Sequence, residues 1–245
     1  MGDQSEPTAL DAPIPPDAPE PSARNVHPSE RVGLPPAPLP SRAARSRGKR
    51  LLDLATVLAV APLVVPICLV IAFLVACTSR GGVLFVQERV GLGGKPFRMV
   101  KFRTMRAGAE ASVRADPELW AAYVSNDFKL PAEADTRVTP VGHALRRTSL
   151  DELPQLINVV KNEMSLVGPR PVVAEELAMH SESLDAYLST RPGITGTWQV
   201  NGRSGVSYPE RAWLEREYVE HWRLWLDVKC LLRTPLVVLS RRGAH

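Results

Sequence analysis

Charge is absent from one long stretch of this chain. Leu54 to Ser79 is a run of 26 residues without a charged side chain. A straight helix of that length runs about 39 Å, enough to cross a hydrocarbon core of about 30 Å. A single membrane span is therefore one reading. Pro62 and Pro66 oppose it, because each removes a helical donor and clashes with the preceding turn. The arms on either side of Pro66 have 12 and 13 residues, about 18 and 20 Å, and neither crosses alone. Lys and Arg also flank both ends of the run, whereas a span shows a bias to one side. A re-entrant hairpin that enters and leaves on one face is the other reading. Both fit the residues, since single prolines are tolerated in spanning helices.

The rest of the pattern predicts an α+β chain that is mostly helical. Residues 83–105 alternate around GLGGK and predict a β-hairpin with a glycine-rich turn. Residues 107–125 predict a helix, and 126–148 a loop followed by a short helix. Residues 153–166 predict a helix with an apolar face, stopped by GPRP at 168–171. Residues 172–189 read as helical, and 191–203 as loop with a short strand. Tyr208 to Ser240 is helix-rich, with Trp213, Tyr218, Trp222 and Trp225 among charged residues. Such aromatics suit amphipathic helices at a membrane–water interface.

Composition changes this picture at the N-terminus. Residues 1–40 hold eleven of the 23 prolines. That segment cannot bury enough apolar surface to offset its ordering entropy. Residues 1–46 are expected to be a disordered tail, and 47–245 a domain whose membrane segment is 51–79. The tail lacks the basic start and apolar core of a signal peptide. Between residues 40 and 106 twelve Lys/Arg face only Asp53 and Glu88. A basic belt of this kind suits phosphates. Nucleic acid is the least expected partner, because these cations flank the apolar run. Cys68, Cys77 and Cys230 form no metal-ligand spacing and read as reduced structural residues.

The candidate chemistry sits in RRTSLDELPQL. Asp151 and Glu152 are adjacent carboxylates. Ser149 and Glu152 also match a capping box ahead of an apolar helix. Either way the pair lies at a helix N-terminus, whose dipole favours ionised carboxylates and a nearby anion. An ionised Asp is a competent nucleophile toward phosphorus. Arg146, Arg147, Arg170 and Arg203 lie in or beside rigid loops suited to gripping phosphate oxygens. His143 and His180 are lone and read as structural.

With these motifs in view, the sequence resembles the bacterial sugar transferase family, the monotopic phosphoglycosyl transferases. The likeness runs from about Arg47 to His245. It is carried by KRLLD (49–53), Pro66, KFRTM (101–105), SLDELPQL (149–156), SLVGPRP (165–171), RPGITG (191–196), QVNGR (199–203) and LWLDVKCLLRTPLVVL (224–239). The resemblance implies a re-entrant helix broken at Pro66, in the bacterial inner membrane, with the catalytic domain on the cytoplasmic face. It implies that Asp151 attacks the β-phosphate of a UDP-sugar, releasing UMP, and that polyprenyl phosphate then takes the sugar phosphate with help from Glu152. This would be a first membrane step of exopolysaccharide, capsule or glycoconjugate assembly. It implies Mg2+ at Asp151 and Glu152. Substrate and phosphate binding fall to Lys101, Arg146, Pro169, Arg170, Pro171, Asn201, Arg203 and Asp227. The extra membrane helices of larger members have no counterpart, so a minimal catalytic unit is expected; a homodimer is left open. Val65 stands before Pro66 where many members carry Ser. TWQ at 197–199 is nearer to members that use galactose or glucose, so the expected donor is a UDP-hexose. The alternative is a non-enzymatic membrane-anchored adaptor that binds polyanions and has no need of Asp151.

Overall fold

The computed structural model describes residues 37–78, 81–106, 108–109, 113, 115–117, 120, 137–180, 183–201 and 208–239. Most of the helix expected over 107–125 lies outside the described residues, as do residues 1–36 and Arg203. Residues 42–45, inside the segment expected to be disordered, form a one-turn helix capped by the Ser41 hydroxyl. Ala43 is buried there, and the Ser41 N–H donates to the Ser189 carbonyl at 2.8 Å.

Helix α1, Arg47–Thr78, follows. It is continuous through both prolines, so the expected break at Pro66 is not a gap in the helix. Each proline deletes only one ladder bond, leaving the carbonyls of Leu58 and Pro62 without their helical donor. Only 6% of the most apolar stretch of α1 is buried, unlike the core helix of a soluble protein. It is long and apolar enough to cross a membrane.

Strands β1, Leu84–Val90, and β2, Pro96–Phe102, form the expected antiparallel hairpin, in register from Leu84 opposite Phe102 to Val90 opposite Pro96. Gly93 and Gly94 take φ of 68° and 74° in the turn. Two successive left-handed residues are cheap only for glycine. Helix α2, Pro140–Thr148, leads to a 3-10 helix, Leu150–Gln155, and then to the short α3, Leu156–Val160. The single helix expected over 153–166 is therefore wrong. Asn162 turns left-handed at φ 65°, and Ser165–Val167 becomes strand β3, parallel to β4, Gly193–Thr195. Residues 164–167 are all buried, and periodicity cannot tell a fully buried strand from a buried helix.

A 3-10 helix, Ala174–His180, and α4, Leu184–Leu188, replace the single helix expected over 172–189. Helices α5, Thr197–Asn201, α6, Tyr208–Glu220, and α7, Leu224–Leu239, complete the described chain. The main apolar core joins Phe97 and Met99 of β2 to Val159, Met164, Leu166, Val167, Tyr218, Val219 and Cys230. A second cluster joins Ile71 and Val75 of α1 to Phe102 and Leu145.

Both ends of α1 are fastened to this body. At its start the Lys49 ammonium donates to Asp227 Oδ2, Tyr218 Oη and the Val167 carbonyl at 2.8, 3.0 and 2.9 Å. Arg50 donates to the carbonyls of Val159 and Val160. Asp53 accepts from the Leu166 N–H and the Ser165 hydroxyl. Further along, Ile71 and Val75 are buried against β2 and α2. Between these anchors Leu58 and Leu63 are exposed, as are Leu69 and Phe73 on the outer side. Trp225, Leu232 and Leu236 of α7 are exposed as well, so two helices present apolar surface that water does not favour. Of the four aromatics expected at an interface, Trp213 and Trp225 are exposed. Tyr218 and Trp222 instead hydrogen-bond to Asp227 inside the body.

Candidate functional site

The turn that carries Asp151 and Glu152 is set by backbone geometry. Thr139 caps α2 through its hydroxyl, and Pro140 starts the helix. Gly142 permits α2 to lie on Thr104; a Cβ there would come within 2.0 Å of the Thr104 carbonyl oxygen. Helix α2 ends at Ser149, which adopts φ 56° while its N–H caps the carbonyls of Arg146 and Leu145. The capping box expected at Ser149 does not form, because its side chain makes no capping hydrogen bond. Ser149 instead reverses the chain into the 3-10 helix that opens with Leu150, Asp151 and Glu152. Leu150 and Leu153 pack on the Ile71–Val75 cluster, which fixes the two carboxylates beside the apolar helix.

The partner of this turn is β2, and Asn158 aligns the two. Its carboxamide accepts from the Val100 N–H at 3.1 Å and donates to the Arg98 carbonyl at 2.8 Å. A side chain thus takes the place of a neighbouring strand along β2. Lys101 is thereby held so that its ammonium meets Glu152 Oε1 at 2.8 Å. Arg146 lies behind, donating through Nε to Thr104 at 2.9 Å.

Glu152 and Lys101 open onto a pocket also lined by Arg89, Arg170 and Pro171. Met99, Gln155, Gly193, Ile194 and Gln199 complete its wall. The GPRP loop is fixed from three sides. Gly193 donates its N–H to the Pro169 carbonyl at 2.7 Å, Arg89 donates to the Pro171 carbonyl at 3.2 Å, and the Arg170 N–H donates to Glu215 at 2.8 Å. Of the residues expected at the site, the structure brings together Asp151, Glu152, Lys101, Arg146, Arg170 and Pro171, with Pro169 buried just behind. It does not bring in Asn201, which is exposed and accepts from Arg233. Nor does it bring in Asp227, whose carboxylate is taken by Lys49, Tyr218 and Trp222.

The fold and this arrangement can be set beside known proteins. A family model for bacterial sugar transferases matches residues 44–241. The chain belongs to the bacterial sugar transferase family. It is similar to the UDP-galactose-lipid carrier transferase of Erwinia amylovora, 44% identical over 201 residues that make up 80% of this chain and 41% of that protein. It is 42% identical to the exopolysaccharide production protein ExoY of Rhizobium meliloti over 181 residues, 72% of this chain and 79% of that one. It is 37% identical to the UDP-glucose:undecaprenyl-phosphate glucose-1-phosphate transferase of Caulobacter vibrioides over 219 residues, 86% of this chain and 76% of that one. The chain thus spans about two-fifths of the length of the Erwinia protein.

In this bacterial sugar transferase the two adjacent carboxyls have unlike environments. Burial pushes Asp151 above the usual carboxylate range and the neighbouring Glu152 pushes the same way, against Lys101 and Arg146. Burial acts on Glu152 too, but Lys101, Arg170, the Lys101 hydrogen bond and Arg89 outweigh it and hold Glu152 low. The expectation that the helix terminus keeps both ionised fits Glu152 and is reversed in direction for Asp151. Adjacent carboxyls pushed apart in this way are a common arrangement for divided acid–base roles. After burial, the Glu152 charge is the next cause that lifts Asp151; a hard cation shared by the two carboxyls would offset it, and two carboxylates are a donor set that suits magnesium. The residues present therefore fit that ion.

Sequence reasoning missed Arg89, Gln155, Asn158, Gln199 and Glu215. Arg89 shares the inward face of β1 with Phe85 and Gln87, so alternation was the available signal. Glu215 lies in a charged stretch that reads as solvated. It is buried, accepts from the Arg170 N–H and from Trp198 Nε1 at 2.9 Å, and burial pushes its pKa up to about 7.

Proposed function

We propose that this protein transfers a sugar-1-phosphate from a UDP-hexose to polyprenyl phosphate. The observation that carries the reading is the pocket of Arg89, Lys101 and Arg170 around Glu152, with Asp151 behind it, on a turn packed against a long exposed apolar helix. Donor and acceptor are both anionic phosphates, so direct attack is opposed by charge. Asp151 reacts as the carboxylate, the form that Lys101 and Arg146 favour: its oxygen attacks the β-phosphorus, the bond to the bridging oxygen breaks, and UMP leaves with that electron pair. Lys101, Arg146 and Arg170 offset the charge that develops on the phosphoryl oxygens. An oxygen of polyprenyl phosphate then attacks the same phosphorus and releases the Asp151 carboxylate. Glu152, held ionised by its cations, orients Lys101 and assists this second step. Asp151 and Glu152 would hold magnesium, which when bound neutralises charge on the diphosphate. The names of the Erwinia and Caulobacter relatives support a hexose donor and a lipid acceptor. Purified protein in detergent, given polyprenyl phosphate and UDP-galactose, UDP-glucose or UDP-N-acetyl sugars, is expected to release UMP over many turnovers with at least one UDP-hexose, and no more than a single equivalent per enzyme when lipid is left out. Absence of UMP with every donor would sink the reading.

The same proposal places α1 in the inner membrane as a continuous helix, bent at its prolines, that enters and leaves from the cytoplasmic side. Its support is that both ends of the helix are fastened to one polar body while Leu58 and Leu63 between them are exposed. A true span would carry the far anchor to the opposite side. Cysteines placed at Ser41 and Gly82, in a background without Cys68, Cys77 and Cys230, are both expected to react only from the cytoplasmic side. Labelling of either from outside would show a span.

A further inference from the structure

Two side chains in the pocket carry polar atoms that nothing among the described residues meets. Gln155 is 2% exposed, and its Nε2 has no hydrogen-bond acceptor among the described residues. Gln199 Oε1 is buried and has no donor among them. Both residues line the same pocket. They come from separate elements, the 3-10 helix and α5. Gly196 packs against the Gly168 carbonyl, and an added Cβ there would also come within 2.6 Å of Gln199 Oε1.

Buried polar groups are nearly always hydrogen-bonded, by protein, water or ligand. The pair here needs one acceptor and one donor. A phosphate offers acceptors only, so it would leave the Gln199 carbonyl unmet. A hydroxyl offers both. The pocket cations, Arg89, Lys101 and Arg170, are suited to the diphosphate. In a 3-10 helix, residues three apart eclipse, so Gln155 stands on the same side as Glu152. In the reaction proposed above the β-phosphate meets Asp151 and Glu152, so the group it carries, the hexose, comes nearest that side. We propose that Gln155 and Gln199 bind a hexose hydroxyl of the donor. This rests on the function proposed above.

The test compares wild type with Gln155→Met and Gln199→Leu, both nearly isosteric. Affinity of the full chain in detergent is measured for UDP and for the UDP-hexose that the wild type uses, with kcat/KM for UDP-galactose and UDP-glucose. The expected result is that each variant loses about tenfold in UDP-hexose affinity, the weight of one buried hydrogen bond. UDP binding should be unchanged, and kcat/KM should fall for whichever of the two hexoses the wild type uses. Equal losses for UDP and UDP-hexose would assign the pair to the nucleotide or to the fold and overturn the proposal. Unchanged UDP-hexose affinity with a raised Tm would mean that water alone fills the gap, and would overturn it as well. A wild type that binds donor and releases UMP separates failure of this inference from failure of the proposed reaction.

Discussion

Asp151→Asn is expected to stop transfer while leaving the protein at least as stable as before. The amide cannot form an acyl-phosphate, and loss of a nucleophile typically costs on the order of 10^4-fold or more in turnover. Stability moves the other way. Burial and Glu152 both raise the Asp151 pKa above its unfolded value. The folded state therefore binds this proton more tightly, and the contribution to stability is lost as pH rises through the folded pKa. Asn has no proton to lose, so its Tm advantage over wild type should appear above that pKa and fade toward acid. The check is a donor labelled in the β-phosphate, mixed with enzyme without lipid. Wild type and Glu152→Gln are expected to retain label on the protein, because Gln still accepts from Lys101. Asp151→Asn is expected to retain none. A labelled and active Asp151→Asn enzyme would reject the covalent mechanism.

What could be read from the sequence was whatever depends on near neighbours. The β1–β2 hairpin follows from alternation and from consecutive glycines that only a left-handed turn requires. The apolar run of α1 is visible as missing charge. The carboxylate pair stands out because two acids precede an apolar stretch. The failures share a different cause, namely partners distant in the chain. Ser149 to Glu152 has the spacing of a capping box, yet α2 packing on Thr104 makes Ser149 the end of one helix rather than the start of another. Asn158 completes the edge of β2 from 58 residues away, a role that local patterning cannot reveal. Glu215 lies among charged neighbours and looks solvated, and Tyr218 reads as an interface aromatic, until Arg170 and Asp227 are brought to them. The run 153–166 is apolar enough for either helix or strand, and only the pairing of Ser165 with Gly193 decides it.

Breaking the pair between Lys49 and Asp227 is expected to cost the most stability of any single change outside the pocket. Lys49 is 4% exposed and Asp227 1%. All three protons of the ammonium have acceptors, and both carboxylate oxygens receive donors, from Lys49, Tyr218 and Trp222. A satisfied network of this kind adds modestly to stability, but removing one partner strands a buried charge and costs about 3–5 kcal/mol. For a chain of this size that corresponds to a Tm lower by on the order of 10 °C. Asp227→Ala and Lys49→Met should each show it. Replacing both residues should recover part of the loss, since no lone charge remains. The effect should reach α1 as well, because Lys49 ties the start of that helix to β3 and α7. A role for Asp227 in holding substrate predicts the opposite split. Asp227→Asn would then keep the wild-type Tm and lose donor affinity. The latch reading predicts a lower Tm in detergent, with donor affinity close to wild type when measured well below that Tm. Thermal unfolding and UDP-hexose titration on the same preparation distinguish the two, and an unchanged Tm would reject the latch.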